Sequence, residues 1–256
     1  MQQILVIAGN DPSSGAGLEL ATKFFNNLNC FTFNITTAIT AQNSLGVQDF
    51  QYTNPAIFLS QLNSISSDFR IDVIKIGLIT NSALIYSFLD WYNLLKGNKP
   101  PIIFDPILKS TSNKEFFNDK EILKAVRELI SVCDIITPNF KEAAIISGKA
   151  TIKDMAEYFK NLGVKGAVIT GGDEDKNQAI DYVFTQKEEK VLSYPKIKLN
   201  NEIHGTGCLF SNAITYYYTE TLNIIESAQK AKTIVSSNIK NNLIKPGKGY
   251  YYFLLK

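Results

Sequence analysis

Short apolar, β-branched runs alternate along this chain with longer stretches whose apolar residues recur every three or four positions. That alternation is the strongest limit on its fold. Residues 4–8, 31–39, 73–76, 102–104, 135–137 and 167–170 have the length and composition of buried strands. Between and after them, 17–28, 55–69, 82–95, 120–130, 141–147, 152–162, 206–219 and 224–243 carry helical spacing. Strand, helix, strand, repeated, predicts an α/β architecture: a mainly parallel sheet with helices on both faces. Residues 181–185 and 190–194, split by Gln186-Lys187-Glu188-Glu189, read as an antiparallel hairpin at one edge. No repeat or linker interrupts the pattern, so one domain over 1–256 is expected.

In open α/β sheets ligands bind at the carboxyl ends of the strands. Gly9-Asn10-Asp11-Pro12, Asp105-Pro106, Thr137-Pro138-Asn139 and Gly171-Gly172-Asp173 all follow predicted strands, so they should gather on one edge. His204-Gly205-Thr206-Gly207-Cys208 opens the helix that starts near Thr206. Small residues there let backbone N–H groups converge on an anion. The positive end of the helix would also stabilise a Cys208 thiolate. A plainer reading makes it a glycine turn with Cys208 as a small core residue.

The other segments also have two readings. Residues 10–17 are glycine-rich like a phosphate loop but lack its Gly-Lys-Ser/Thr ending, and could be only a tight strand-to-helix connection. Asn139 and Glu142, three apart, suit a capping box, while the same glutamate could order water around Mg²⁺, with Asp105 a second candidate. Lys75, inside an apolar strand, either snorkels or pairs with a carboxylate, and no catalytic role is assigned to it. Tyr216-Tyr217-Tyr218 reads as helix surface and core.

Several chemistries drop out. His204 is the only histidine, so no histidine metal cluster can form within one chain, and no Gly-x-Ser-x-Gly elbow accompanies it. With 26 basic and 24 acidic residues in no marked block, nucleic acid and anionic membranes are poor partners. The apolar runs are far short of a membrane span, and no signal peptide is visible. Three scattered cysteines fit a reducing cytoplasm rather than a disulfide framework. What remains is transfer chemistry run by backbone donors, carboxylates, lysines and a soluble metal ion.

Seven segments, in order, resemble the hydroxymethylpyrimidine/phosphomethylpyrimidine kinase family of thiamine biosynthesis, within the ribokinase superfamily. They are 8–17, Thr40-Ala41-Gln42-Asn43, Lys75-Ile76-Gly77, Asp105-Pro106, Thr137-Pro138-Asn139 with Glu142-Ala143, Gly171-Gly172, and 204–208. The cysteine after Gly-Thr-Gly is the more discriminating mark, because most ribokinase relatives place an aspartate base there. The resemblance implies a ribokinase-like three-layer α/β/α sandwich, with a mainly parallel central sheet and an antiparallel edge hairpin. It implies ATP- and Mg²⁺-dependent phosphorylation of the pyrimidine's hydroxymethyl group, then of the monophosphate.

By matched position, Gly9, Ala16, Gln42 and Leu78 would line the pyrimidine pocket. Asp105, Asn139, Glu142, Gly171, Gly172 and Lys232 would serve ATP and Mg²⁺. Gly205, Thr206 and Gly207 would form the anion hole, with Cys208 facing the acceptor hydroxyl. Two positions depart from the family. Ala21 stands where an aspartate usually contacts the pyrimidine, an expected loss of about 1–3 kcal/mol. Thr170 stands where a lysine tends to precede Gly-Gly. Pyridoxal kinase, a relative with a similar loop, is one alternative, and Gln42 favours the pyrimidine over it. A pseudokinase that binds a pyrimidine or nucleotide without turnover is another. Relatives are often dimers, so a homodimer is expected, and 110–115 is a candidate lid.

Overall fold

The computed structural model describes residues 1–108, 120–171 and 177–255. The candidate lid at 110–115 and Gly172 lie outside them. Its first half runs β1 (Gln3–Asn10), α1 (Gly17–Asn27), β2 (Phe31–Asn43), β3 (Gly46–Tyr52), α2 (Pro55–Asp68), β4 (Val73–Ile76), α3 (Ser82–Leu94) and β5 (Ile102–Phe104). The second half adds α4 (Lys120–Ser131), β6 (Ile135–Ile136), α5 (Phe140–Ser147), α6 (Ile152–Asn161), β7 (Gly166–Thr170), β8 (Gln178–Thr185) and β9 (Glu189–Pro195). Helices α7 (Thr206–Thr221) and α8 (Ile224–Asn241) follow, then the short pair β10 (Leu243–Ile244) and β11 (Tyr252–Phe253).

Nine strands form one sheet in the order β3-β2-β1-β4-β5-β6-β7-β8-β9. From β2 to β7 it is parallel, and β3, β8 and β9 are antiparallel. Side-chain alternation sorts the core into two layers. Leu5, Ile7, Ile74, Ile76 and Phe104 join Phe58, Phe88 and Phe159 of α2, α3 and α6. Ile4, Val6, Val73 and Ile103 join Phe25, Leu209 and Ala228 of α1, α7 and α8. Apolar residues on both sides of each central strand explain why these strands read as unbroken hydrophobic runs.

The β2–β3 hairpin is a second antiparallel edge that the sequence reading lacks. There β2 was expected to stop at residue 39, but it continues to Asn43 and pairs back with β3 through Thr40↔Phe50 and Gln42↔Val47. The hairpin is only partly covered, so its residues alternate between exposed and half-buried and carry no apolar run to detect. Five helices start on a side-chain cap: Asn54, Asn81, Asn139, Thr151 and Asn223 accept from their first-turn N–H groups. Helix α7 starts on Gly205 at φ +80° with no side-chain cap, so its first N–H groups remain available. Among the described residues no helix is long and apolar enough to cross a membrane.

Candidate active site

A cavity of about 290 Å³ opens at the carboxyl ends of the central strands. It brings together Gly9, Ala16, Gln42, Leu78, Asp105, Asn139, Glu142, Gly205, Thr206, Gly207 and Cys208, all named from the sequence. Two others lie off it. Gly171 is exposed just beyond β7. Lys232 of α8 places Nζ 2.5 Å from Asp181 Oδ2 on β8. Asp181 pairs across the ladder with Thr170, which does line the cavity, so Lys232 stands behind the site.

Asp11 and His204 hold this site together, and neither was named as a site residue from the sequence. The buried Asp11 carboxylate accepts from Ser13 N (2.8 Å), Ser13 Oγ (2.7 Å), Gly15 N (3.0 Å) and Ala16 N (2.8 Å). Its Oδ2 also accepts from His204 Nε2 at 2.9 Å, across 193 positions of sequence. Burial alone would raise its titration, but the hydrogen bonds from His204 and Ser13 outweigh that and hold the carboxyl well below the usual range. Glu19 backs the same loop, accepting from Asp11 N at 2.7 Å and from the Asn10 amide. The two loops are pressed so close that a Cβ on Gly205 would lie 1.9 Å from the Gly15 carbonyl oxygen. The available signal was a lone histidine beside Gly-Thr-Gly, but sequence cannot say which carboxylate it meets.

Ala21 is corrected by the structure. It is fully buried between α1 and its neighbours in the core beside α7 and does not line the cavity. A carboxylate there would face apolar side chains, so the expected loss of ligand affinity does not follow from this position.

Cys208 is corrected too. It reaches the cavity, but burial pushes its thiol up to about 11, with the Lys75 charge pulling the other way and Asp105 adding to the rise. Desolvation outweighs the Lys75 charge and the Gly17 backbone hydrogen bond, so the shift runs opposite to the lowering expected at a helix start. Replacing Cys208 by alanine should lower turnover by about tenfold or more while ATP still binds. Unchanged turnover in steady-state assays would remove it from the mechanism.

Asp105, one step past β5, is buried and accepts from Ser211 Oγ of α7 at 3.0 Å. Burial raises its carboxyl, and the Lys75 charge opposes the rise. Glu142 completes the expected capping box: Oε2 accepts from Asn139 N at 2.8 Å, and Asn139 Oδ1 accepts from Glu142 N at 3.0 Å. The capping and site readings are therefore compatible, because the box aims this carboxylate at the cavity. Among the described residues there is no cluster of three His, Cys, Asp or Glu. The buried Asp105 and the half-buried Glu142, whose carboxylates repel each other, would nevertheless suit a small, hard cation that keeps most of its own waters.

The repulsion has a measurable consequence. Burial and the Asp105 charge push Glu142 up to about 8, from an ordinary value of 4.5. Between those values the folded state holds a proton that the unfolded chain has released. Stability of the metal-free protein should therefore fall as pH rises from about 4.5 to about 8, then level off. Glu142→Gln should flatten that slope in thermal melts, and an unchanged slope would place the titration elsewhere.

A family profile described as phosphomethylpyrimidine kinase matches residues 11–253. The chain belongs to that family. It is 32% identical over 252 residues to the hydroxymethylpyrimidine/phosphomethylpyrimidine kinase of Aquifex aeolicus, covering 96% of this chain and 97% of the relative. The solved phosphomethylpyrimidine kinase of Clostridium difficile aligns with TM-score 0.78 at 28% identity, over 93% of this chain and all of that one. The ADP complex of Bacillus subtilis pyridoxal kinase aligns with TM-score 0.85 at 26% identity, over 100% and 97%. The family thus shares its ribokinase-like three-layer architecture with vitamin B6 kinases, and fold alone does not choose the acceptor.

Proposed function

We propose that this chain transfers the γ-phosphoryl group of ATP to the hydroxymethyl group of 4-amino-5-hydroxymethyl-2-methylpyrimidine, and then to the monophosphate, in thiamine biosynthesis. The observation that carries this is one cavity holding Gln42, the uncapped N-terminus of α7 and the Asp105–Glu142 pair. An alkyl hydroxyl is a poor nucleophile, so the site must align it and absorb charge on the phosphoryl oxygens. Gln42 would hydrogen-bond the polar edge of the pyrimidine, and Cys208 would position its hydroxyl. Gly9 has no Cβ to crowd Leu78, which a side chain there would meet at 3.0 Å. The N–H groups of 205–208 would hold the transferring group.

Asp105 and Glu142 would hold Mg²⁺, which neutralises phosphate charge when bound. Asn139 fixes the orientation of Glu142, and Ser211 that of Asp105. Gly171, Gly172 and Lys232 are assigned to the ATP side, Lys232 acting through Asp181 and β8. The reading includes a single kinase domain, a cytoplasmic setting and a homodimer.

Pyridoxal phosphorylation is the second reading, favoured by the closer structural match to pyridoxal kinase. Mg-ATP with hydroxymethylpyrimidine, its monophosphate or pyridoxal, followed by mass spectrometry, decides between them. Pyrimidine mono- and diphosphates are the expected products. Pyridoxal phosphate alone would move the chain to the B6 kinases, and bound ATP with no product would make it non-catalytic.

A further inference from the structure

Among the described residues, Lys75 is the charged residue lining the cavity that the mechanism above leaves without a task. On β4 the side chains alternate, Ile74 and Ile76 entering the core under α2, α3 and α6. Lys75 therefore points, with Val73, to the face beneath α7. The residue is 2% exposed, and among the described residues its ammonium makes no hydrogen bond and no ion pair. A Cβ on Gly77 would lie 2.8 Å from Nζ, so the ammonium is folded over the glycine that follows β4 and lines the cavity. An ammonium on a largely buried stem that meets the cavity, with no hydrogen bond among the described residues, is placed to take a negatively charged group entering there.

Asp105 is the alternative counter-charge. The Lys75 charge does act on Asp105, and it acts on Cys208 as well, which places it between the carboxylate side and the acceptor side of the cavity. Asp105, however, is hydrogen-bonded by Ser211 and stands with Glu142 as a pair suited to a divalent cation. A cation held by both carboxylates would leave the lysine charge for an anion. We propose that Lys75 is a catalytic residue whose ammonium binds the phosphoryl group in transit, together with the N–H groups of 205–208.

The inference rests on the kinase reading. In the transfer, the acceptor oxygen bonds to phosphorus as the bond from phosphorus to the bridging oxygen breaks, and that electron pair leaves with ADP. The hydroxyl proton passes to a phosphoryl oxygen and on to water. Lys75 contributes charge and hydrogen bonds, and its own N–H bonds stay intact.

Lys75→Met keeps the length and removes the charge. It should lower kcat by about a hundredfold, leave both KM values within about threefold, and melt no lower than the parent. Methylammonium should restore part of the activity of Lys75→Ala, which a purely structural residue would not allow. Gly77→Ala, which displaces the ammonium but keeps it, should shift kcat the same way. Independently of turnover, calorimetry with inorganic phosphate should show binding about tenfold weaker in Lys75→Met, and unchanged in Lys124→Met on the exposed side of α4.

A kcat for Lys75→Met within about threefold of the parent, or equal phosphate affinity, overturns the proposal. If the parent makes no phosphorylated pyrimidine while the phosphate difference stands, the substrate reading fails and the anion subsite survives.

Discussion

Asp105→Asn should cut turnover by about a thousandfold without weakening the fold. The asparagine keeps an oxygen to accept from Ser211 Oγ, 3.0 Å away in the parent. It removes a charge whose burial already disfavours it, so the melting temperature should equal or exceed that of the parent. What it would remove is half of the carboxylate pair proposed to hold Mg²⁺. Binding of Mn²⁺, followed by electron paramagnetic resonance, should weaken in parallel with the loss of turnover. A variant that keeps full activity and full Mn²⁺ affinity would take Asp105 out of the metal site.

The second large effect is on stability. Asp11→Ala strips the acceptor from three backbone N–H groups, the Ser13 hydroxyl and His204 Nε2 at once. The histidine is boxed in by Tyr250 and Tyr252, with ring centroids at 5.8 and 5.6 Å, so it cannot swing to water. Loss of one member of such a buried pair costs about 3–5 kcal/mol, a large share of a domain's total stability. Urea unfolding at pH 7 measures it. Asp11→Asn should fall between parent and alanine, since its amide oxygen can still accept while its NH₂ faces donors. The depressed titration of Asp11 adds a pH signature. Its contribution is present above its ordinary value of 3.8 and fades as pH falls through the lower native value, so the alanine variant should lose part of the acid dependence below about 4. A loss under about 1 kcal/mol would show that the two loops are held by packing alone.

The legible and illegible parts of this protein divide by how far the information travels along the chain. Ile4 to Ala8 and Ile102 to Phe104 announced themselves because strands covered on both faces are apolar throughout. Asn139 and Glu142 announced themselves because a capping box is written within four residues. The glycine loop at 205–207 and the turns after β1, β5 and β6 could be placed on one edge because parallel topology puts all such turns there. The hairpin from Thr40 to Tyr52 was less legible: it is polar because only part of it is covered, so periodicity carried no signal.

The sequence by itself determined the α/β class, the mainly parallel sheet and the segments that line the cavity, since each follows from local pattern. Only the tertiary structure decided the electrostatics. It paired His204 with Asp11, sent Ala21 into the core, tied Lys232 to Asp181, and set Lys75 against the cavity with no hydrogen bond among the described residues. It also buried Cys208, so that desolvation raises its thiol where a helix start alone would lower it. A helix terminus is visible in sequence, but the surrounding layers that exclude water come from distant segments, and desolvation is set by them.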